Sequence, residues 1–228
     1  MSDNNTPPMR TIKSFVKRAG RTTVRQQRAL DNYVHLYQIP YTVEKTNFDI
    51  HYKTSQPLVV EIGFGMGNSL VTMAKEAPQT NFLGIEVHEP GIGNILDHIH
   101  ENALGNLRVM QHDAVEVFKH MIKDNTLQGV QIFFPDPWHK KRHHKRRLVN
   151  PEFIELILQK LEPTGFIHFA TDWQNYADEV LELFTENSQL NNPHNGFAPR
   201  PEHRPLTKFE ARGQRLDHGV WDIIVYKQ

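Results

Sequence analysis

The 228-residue chain contains no cysteine. Disulfides, thiolate catalysis and the commonest zinc-site patterns are therefore excluded. Neither sign of charge is in excess: 26 Lys and Arg face 26 Asp and Glu, which argues against a generic nucleic-acid sponge. No apolar run reaches membrane-spanning length, and the first thirty residues lack the apolar centre of a secretory signal. The expectation is a soluble, cytoplasmic protein with no membrane partner.

The balance of charge conceals an uneven distribution. Residues 1–56 hold nine Lys or Arg against four Asp or Glu, and the seven cations from Arg10 to Arg28 have no acid among them. A second block, His139 to Leu148, carries six Lys or Arg in ten positions together with His139, His143 and His144. Two basic segments on an otherwise acidic body point to a localised polyanion site.

Residues 1–22 show no apolar periodicity and read as a flexible basic tail. Leu30, Tyr33, Val34 and Tyr37 have helical spacing, giving a helix and connecting segment over 23–56. From Pro57 onward strands and helices alternate, which sets out one domain over 57–228, expected to be the catalytic one. Leu58 to Ile62 is a short apolar run entering a glycine cluster, the pattern of a buried parallel strand. Asn68 is placed to cap the helix that follows, and Pro78 limits it. Asn81–Val87, Asn106–Gln111, Val130–Phe134 and Gly165–Ala170 read as further strands, each followed by a helix. Asn150 and Pro151 supply an N-cap and a first helical position. Val220–Tyr226 is strongly β-forming. The fold class is α/β, a doubly wound, mostly parallel sheet with a basic N-terminal arm. Pro193 to Gly219 carries no readable pattern.

In such folds ligands sit at the carboxyl ends of the strands. Glu61-Ile62-Gly63-Phe64-Gly65-Met66-Gly67 follows the first strand, and its glycines let a ligand approach bare backbone. By itself this is also a pattern that a plain tight strand-to-helix turn produces. A dinucleotide-binding turn would place its third glycine at position 68, where Asn68 stands, so an NAD-linked oxidoreductase is the poorer reading. Glu86 ends the second strand 23 residues after Gly63, near the offset of about 20 at which an acid reaches a ribose hydroxyl. Asp113 follows the third strand, placed either to face an adenine edge or to cap the next helix.

The fourth strand ends in Phe133-Phe134-Pro135-Asp136-Pro137-Trp138 and runs into the basic block. Two prolines stiffen the turn around Asp136. His139 and His143 are four apart, but six neighbouring cations and no acidic or thiol partner argue against a metal.

The E-x-G-x-G-x-G turn, the second-strand acid and Asp113 together resemble the class I S-adenosylmethionine-dependent methyltransferases over about residues 57–190. FFPDPWHKKRHHKRRL, with ATDW after the fifth strand and TKFE near the C terminus, resembles the tRNA (guanine-N7)-methyltransferase family, TrmB, over nearly the whole chain. That resemblance implies S-adenosyl-L-methionine as donor, S-adenosyl-L-homocysteine as product, and N7 of a variable-loop guanosine in tRNA as acceptor. It implies donor contacts from Glu61, Glu86, Asp113 and Asp136 around the Gly63, Gly65 and Gly67 turn, with Asp136 also the active-site acid. Substrate contacts are implied for Lys140, Asp172 and the Thr207, Lys208, Phe209, Glu210 segment. Arg142, His143, Arg146 and Arg147 belong to an implied RNA-contacting stretch.

An exocyclic-amine methyltransferase is the main competing enzyme, since Asp136-Pro137-Trp138 is similar to a D-P-P-aromatic motif with one proline missing. A non-catalytic RNA-binding module is the main alternative outside enzymes. Oligomeric state is left open between monomer and homodimer. Because guanine N7 carries an in-plane lone pair, Asp136 is expected to act by charge and placement rather than as an obligatory base.

Overall fold

The computed structural model describes residues 13–15, 20–205, 210 and 219–228. Thr207, Lys208 and Phe209 lie outside the described residues.

Seven strands form one sheet: β1 (Leu58–Ile62), β2 (Asn81–Glu86), β3 (Leu107–Gln111), β4 (Leu127–Phe133), β5 (Leu161–Thr171), β6 (Leu190–Asn191) and β7 (Trp221–Lys227). Their order is β3-β2-β1-β4-β5-β7-β6. Strands β1 to β5 pair in parallel, and β7 inserts antiparallel between β5 and β6. The order reverses between β1 and β4, so a crevice opens there at the carboxyl ends.

Both faces are covered, which is why β1 is buried at every residue. Leu58, Val60 and Ile62 face one core with α4 (Ala114–His120), α5 (Pro151–Lys160) and α6 (Gln174–Glu186). Val59 points the other way, into a core built from α1 (Val24–Tyr37), α2 (Asn68–Glu76) and α3 (Glu89–Glu101). Helix α1 is fixed at its start by a Thr23–Gln26 capping box, worth about 1 kcal/mol. Arg25 pairs with Asp97 and with Glu101, and Arg28 lies 3.7 Å from Asp97. Two cations of the expected basic arm thus clamp α1 onto α3.

The helix after the glycine turn starts differently from the expectation. Gly67, at φ 76°, is the N-cap of α2 and makes no side-chain cap bond. Asn68 is the first helical residue, and its Oδ1 accepts from Asn94 at 3.4 Å instead. The left-handed turn at Gly67 already delivers the chain into the helix, so the asparagine side chain is free for α3. Helix α3 approaches the same turn closely: a Cβ at Gly91 would stand 2.0 Å from the Gly65 carbonyl oxygen.

Three short elements went unread in the sequence: 3-10 turns at Phe48–His51 and Lys141–Arg146, and the two-residue β6. No helix among the described residues is long and apolar enough to cross a membrane.

Candidate active site

The ends of β1 to β4 enclose a crevice of about 390 Å³ whose walls include Gly63, Gly65, Glu86, Asp113 and Asp136. Five residues singled out in the sequence are therefore brought together. Gly63 and Gly65 have φ of 75° and 59° and nothing within 4 Å of where a Cβ would stand. The turn thus presents bare backbone to open space, a cradle that a side chain would fill.

Glu86 is held by the turn it faces. One carboxylate oxygen accepts from the Gly65 N–H at 2.9 Å, and the other from Val87 and His88 N–H at 2.6 and 3.0 Å. A carboxylate offers about four acceptor positions, so capacity remains for a ligand hydroxyl. Asp113 caps α4 by accepting from Val115 N–H at 3.1 Å, and its other oxygen lies 3.6 Å from Lys13 Nζ. Both sequence readings of Asp113, cap and crevice wall, are compatible with this placement.

Asp136 is exposed, and its turn is bracketed by two bulky left-handed residues, Phe134 at φ 51° and Trp138 at φ 50°. Such conformations cost about 1–3 kcal/mol each and persist only where their surroundings fix them. Here Phe134 N–H donates to Ala170 O at 2.8 Å, and Trp138 Nε1–H to Ser14 O at 3.1 Å.

Glu61 sits apart from the crevice wall. It is 3% exposed, on the α1–α3 side of β1, in register with Gln131 of β4, itself in register with His168 of β5. Glu61 Oε2, Gln131 Oε1 and His168 Nδ1 all lack a protein hydrogen-bond partner. Burial, and next the Glu86 charge, push the Glu61 carboxyl up to about 8. Gly67 likewise serves the helix start rather than the wall.

The basic block forms the 3-10 turn beside this crevice and divides by function. Lys140 and Arg142 are exposed and His143 and Arg146 half-buried. Burial, reinforced by Arg142, Arg146, Lys140 and Lys145, holds His143 below the usual histidine range. The Arg146 guanidinium stacks 3.9 Å above the Trp138 ring and donates to the carbonyls of Lys13 and Phe15 at 3.2 and 3.4 Å. Residues 13–15, expected in a mobile tail, thus lie across the crevice mouth.

Arg147 is a correction. It is 2% exposed, and donates to Pro137 O at 3.0 Å, to Asn175 Oδ1 at 2.9 Å and to Glu179. A guanidinium enclosed in this way cannot reach a phosphate; it fastens the basic turn to α6. Adjacent arginines look alike in a charge count, and only the packing of α6 separates them.

Asp172, past the end of β5, borders a different and wider crevice of about 640 Å³ with Trp173, Asp178 and Trp221. His139 bridges the two regions by packing edge-on against Trp173, with ring centroids 4.2 Å apart. Glu210 is buried, held by Arg204 at 2.7 and 2.9 Å. Among the described residues no cluster of His, Asp and Glu is arranged to hold a metal.

Sheet order, glycine turn and strand-end acids define a methyltransferase of the Rossmann-like class. The 16S rRNA methyltransferase KamB shares the fold with a TM-score of 0.59 at 13% identity, over 81% of this chain and 95% of that one. The 30S ribosomal A1408 methyltransferase from an uncultured bacterium does so with a TM-score of 0.54 at 16% identity, over 93% and 98%. A family model described as "Putative methyltransferase" matches residues 55–223. The tRNA (guanine-N(7)-)-methyltransferase of Francisella philomiragia is 55% identical over 228 residues, 100% of both chains. That of Yersinia enterocolitica is 54% identical over 224 residues, 97% of this chain and 94% of its own. The chain belongs to the tRNA (guanine-N7)-methyltransferase family.

Proposed function

We propose that the protein transfers a methyl group from S-adenosyl-L-methionine to N7 of a guanine in tRNA, in the cytoplasm, leaving 7-methylguanosine and S-adenosyl-L-homocysteine. The observation that carries this is the crevice itself: bare backbone at Gly63 and Gly65, three carboxylates from three further strand ends, and a basic turn at its rim. S-adenosylmethionine supplies an electrophilic methyl group. Glu86 takes a ribose hydroxyl with its one remaining acceptor position, and Asp113 faces the adenine side. Asp136, in its stiff turn, lies where the methyl-bearing end of the donor meets the acceptor base.

Guanine N7 is already an acceptor in the unprotonated ring and loses no proton on methylation, so no general base is required. The work left to Asp136 is to place the reacting groups and to set negative charge near the ring as it becomes cationic. Lys140, Arg142, His143 and Arg146 contact the RNA, with Lys13 contributing from the other side of the mouth. Asp172 and Thr207, Lys208 and Phe209 hold the guanine or its sugar, whereas Glu210, buried with both carboxylate oxygens taken by Arg204, does not reach it.

The test is incubation of the protein with donor and unmodified tRNA, followed by nucleoside analysis. The expected product is 7-methylguanosine, and substitution of the target by 7-deazaguanine should abolish transfer. Continued methylation of that 7-deaza nucleotide would overturn the N7 assignment and favour an exocyclic amine acceptor.

A further inference from the structure

The antiparallel pairing of β5 with β7 ends at Thr171 and Trp221. Successive side chains of a strand point to opposite faces. Trp221 therefore stands with Ile223 on the α6 side of the sheet, while Asp222 faces the other way, toward Arg204. Trp173 lies two residues past the end of β5 and is the N-cap of α6. Its backbone is fixed there: the N–H donates to Thr171 Oγ1 at 3.2 Å, and the carbonyl accepts from Tyr176 and Ala177 N–H, both at 3.0 Å. Strand pairing and helix start thus bring two tryptophans, far apart in the sequence, to the walls of the crevice of about 640 Å³.

Trp173 is 36% exposed, and Trp221 is half-buried. A Cβ at Gly219 would stand 2.9 Å from the Trp221 ring, so glycine lets the backbone lie against the indole. Phe197, also exposed, extends the aromatic surface, with its ring centre 6.5 Å from that of Trp221. The remaining walls include Asp172 and Asp178 and, among the described residues, no Lys or Arg. No hydrogen bond or ion pair engages either carboxylate among the described residues.

Exposed aromatic surface gathered in one place marks an interaction site, and the walls select its occupant. Two carboxylates repel a phosphate but accept from the N–H groups on a base edge. Aromatic faces take unstacked RNA bases whatever their identity. The crevice is also continuous with the basic turn, since His139, next to Lys140, packs edge-on against Trp173. An RNA strand whose phosphates lie on Lys140 and Arg142 passes beside it.

We propose that Trp173 and Trp221 form a stacking site for an unstacked base of the tRNA, that of a nucleotide flanking the target guanine. This rests on the reading above, in which Asp172 holds the guanine or its sugar; the residue that follows Asp172 then meets the neighbouring nucleotide. The two crevices share no wall, so the stacked base is held without being the one methylated.

The experiment compares full-length wild type, Trp173→Ala, Trp173→Phe and Trp221→Ala. Each is titrated with unmodified tRNA and with tRNA made abasic at one or the other nucleotide flanking the target. Wild type forming 7-methylguanosine is the control; its failure would count against the proposed function, whereas the stacking site is read from tRNA affinity. That affinity should fall on the order of 10-fold in Trp173→Ala and in Trp221→Ala, and by less than about threefold in Trp173→Phe, which keeps a ring. The slope of log affinity against log salt should not change, because no cation is removed. S-adenosylhomocysteine affinity should stay within about twofold, since no wall of the donor crevice is altered. One flanking abasic tRNA should bind wild type on the order of 10-fold more weakly, yet bind Trp173→Ala no more weakly than intact tRNA does. A folded Trp173→Ala protein with tRNA affinity within about twofold of wild type would overturn the proposal. So would abasic losses equal in wild type and variant, or wild-type affinity indifferent to both abasic positions, a measurement that stands even if neither alanine variant folds. Intact tRNA affinity together with loss of a dimer in sedimentation would assign the aromatic face to a second copy of the chain instead.

Discussion

Charge is used in opposite ways in two regions of the molecule. At the proposed donor crevice, Glu86, Asp113 and Asp136 project from successive strand ends, and each spends at most part of its hydrogen-bonding capacity on the protein. Around the basic turn and β7, Arg147 is enclosed by Glu179, Asn175 and Pro137, and Arg204 by Glu210 and Asp222. Charges kept partly free are available to ligands; charges that satisfy one another make a scaffold. The boundary between the two regimes falls between adjacent residues, Arg146 and Arg147.

Four substitutions sharpen or break that contrast. Asp136→Asn, which keeps size and removes charge, should slow methyl transfer on the order of 10²–10³-fold while donor affinity changes little. Equal loss of donor affinity and turnover would show that Asp136 only binds the donor. Arg147→Ala should cost about 3 kcal/mol in chemical denaturation, the lower end for a broken buried pair, because Glu179 is 37% exposed and can be rehydrated. Weakened tRNA binding with unchanged stability would return Arg147 to the RNA surface.

Glu61, buried in β1 apart from the crevice wall, gives a pH test. Its carboxyl is pushed up to about 8 in the folded chain, above its ordinary value of about 4.3. A group raised in this way favours folding while it stays protonated. Its contribution is present in full below the unfolded value and is lost as pH climbs from there through about 8. At about 1.4 kcal/mol per pH unit, the penalty should grow by about 2 kcal/mol between roughly pH 6 and pH 8. Glu61→Gln should remove it, gaining more stability at the higher pH. An equal effect at both values would show that Glu61 is ionised throughout.

Arg146→Ala should leave stability within about 0.5 kcal/mol. It should reduce the slope of log tRNA affinity against log salt by about 0.7–0.9, one phosphate contact. An unchanged slope would make Arg146 only a strap for residues 13–15.

The donor end was readable from the sequence because local rules build it. Leu58–Ile62 is the strand its apolar run describes, and Asn150 caps α5 at Phe153 N–H as its neighbour Pro151 suggests. Glu86 ends β2 and Asp113 follows β3, at positions set by the βα repeat. The misreading of Asn68 came from applying a capping rule where a left-handed glycine had already made the turn. The basic turn and the cluster around Arg204 depend on contacts between distant segments. Nothing local distinguishes Arg146 from Arg147, or predicts that Phe134 and Trp138 take left-handed angles around Asp136. Arg204 meets Asp222 across 18 positions of sequence, through a stretch without periodicity, so its burial has no signature in composition.

The bonds from Glu86 to the Gly65, Val87 and His88 amides have a thermodynamic corollary. The turn is locked by the same carboxylate that is proposed to grip the donor, so little backbone freedom remains to be lost on association. Preorganisation of this kind raises affinity by reducing the ordering cost rather than by adding contacts. The donor should therefore associate in a single kinetic phase whose rate grows linearly with its concentration, without the plateau that a slow rearrangement of the loop would impose.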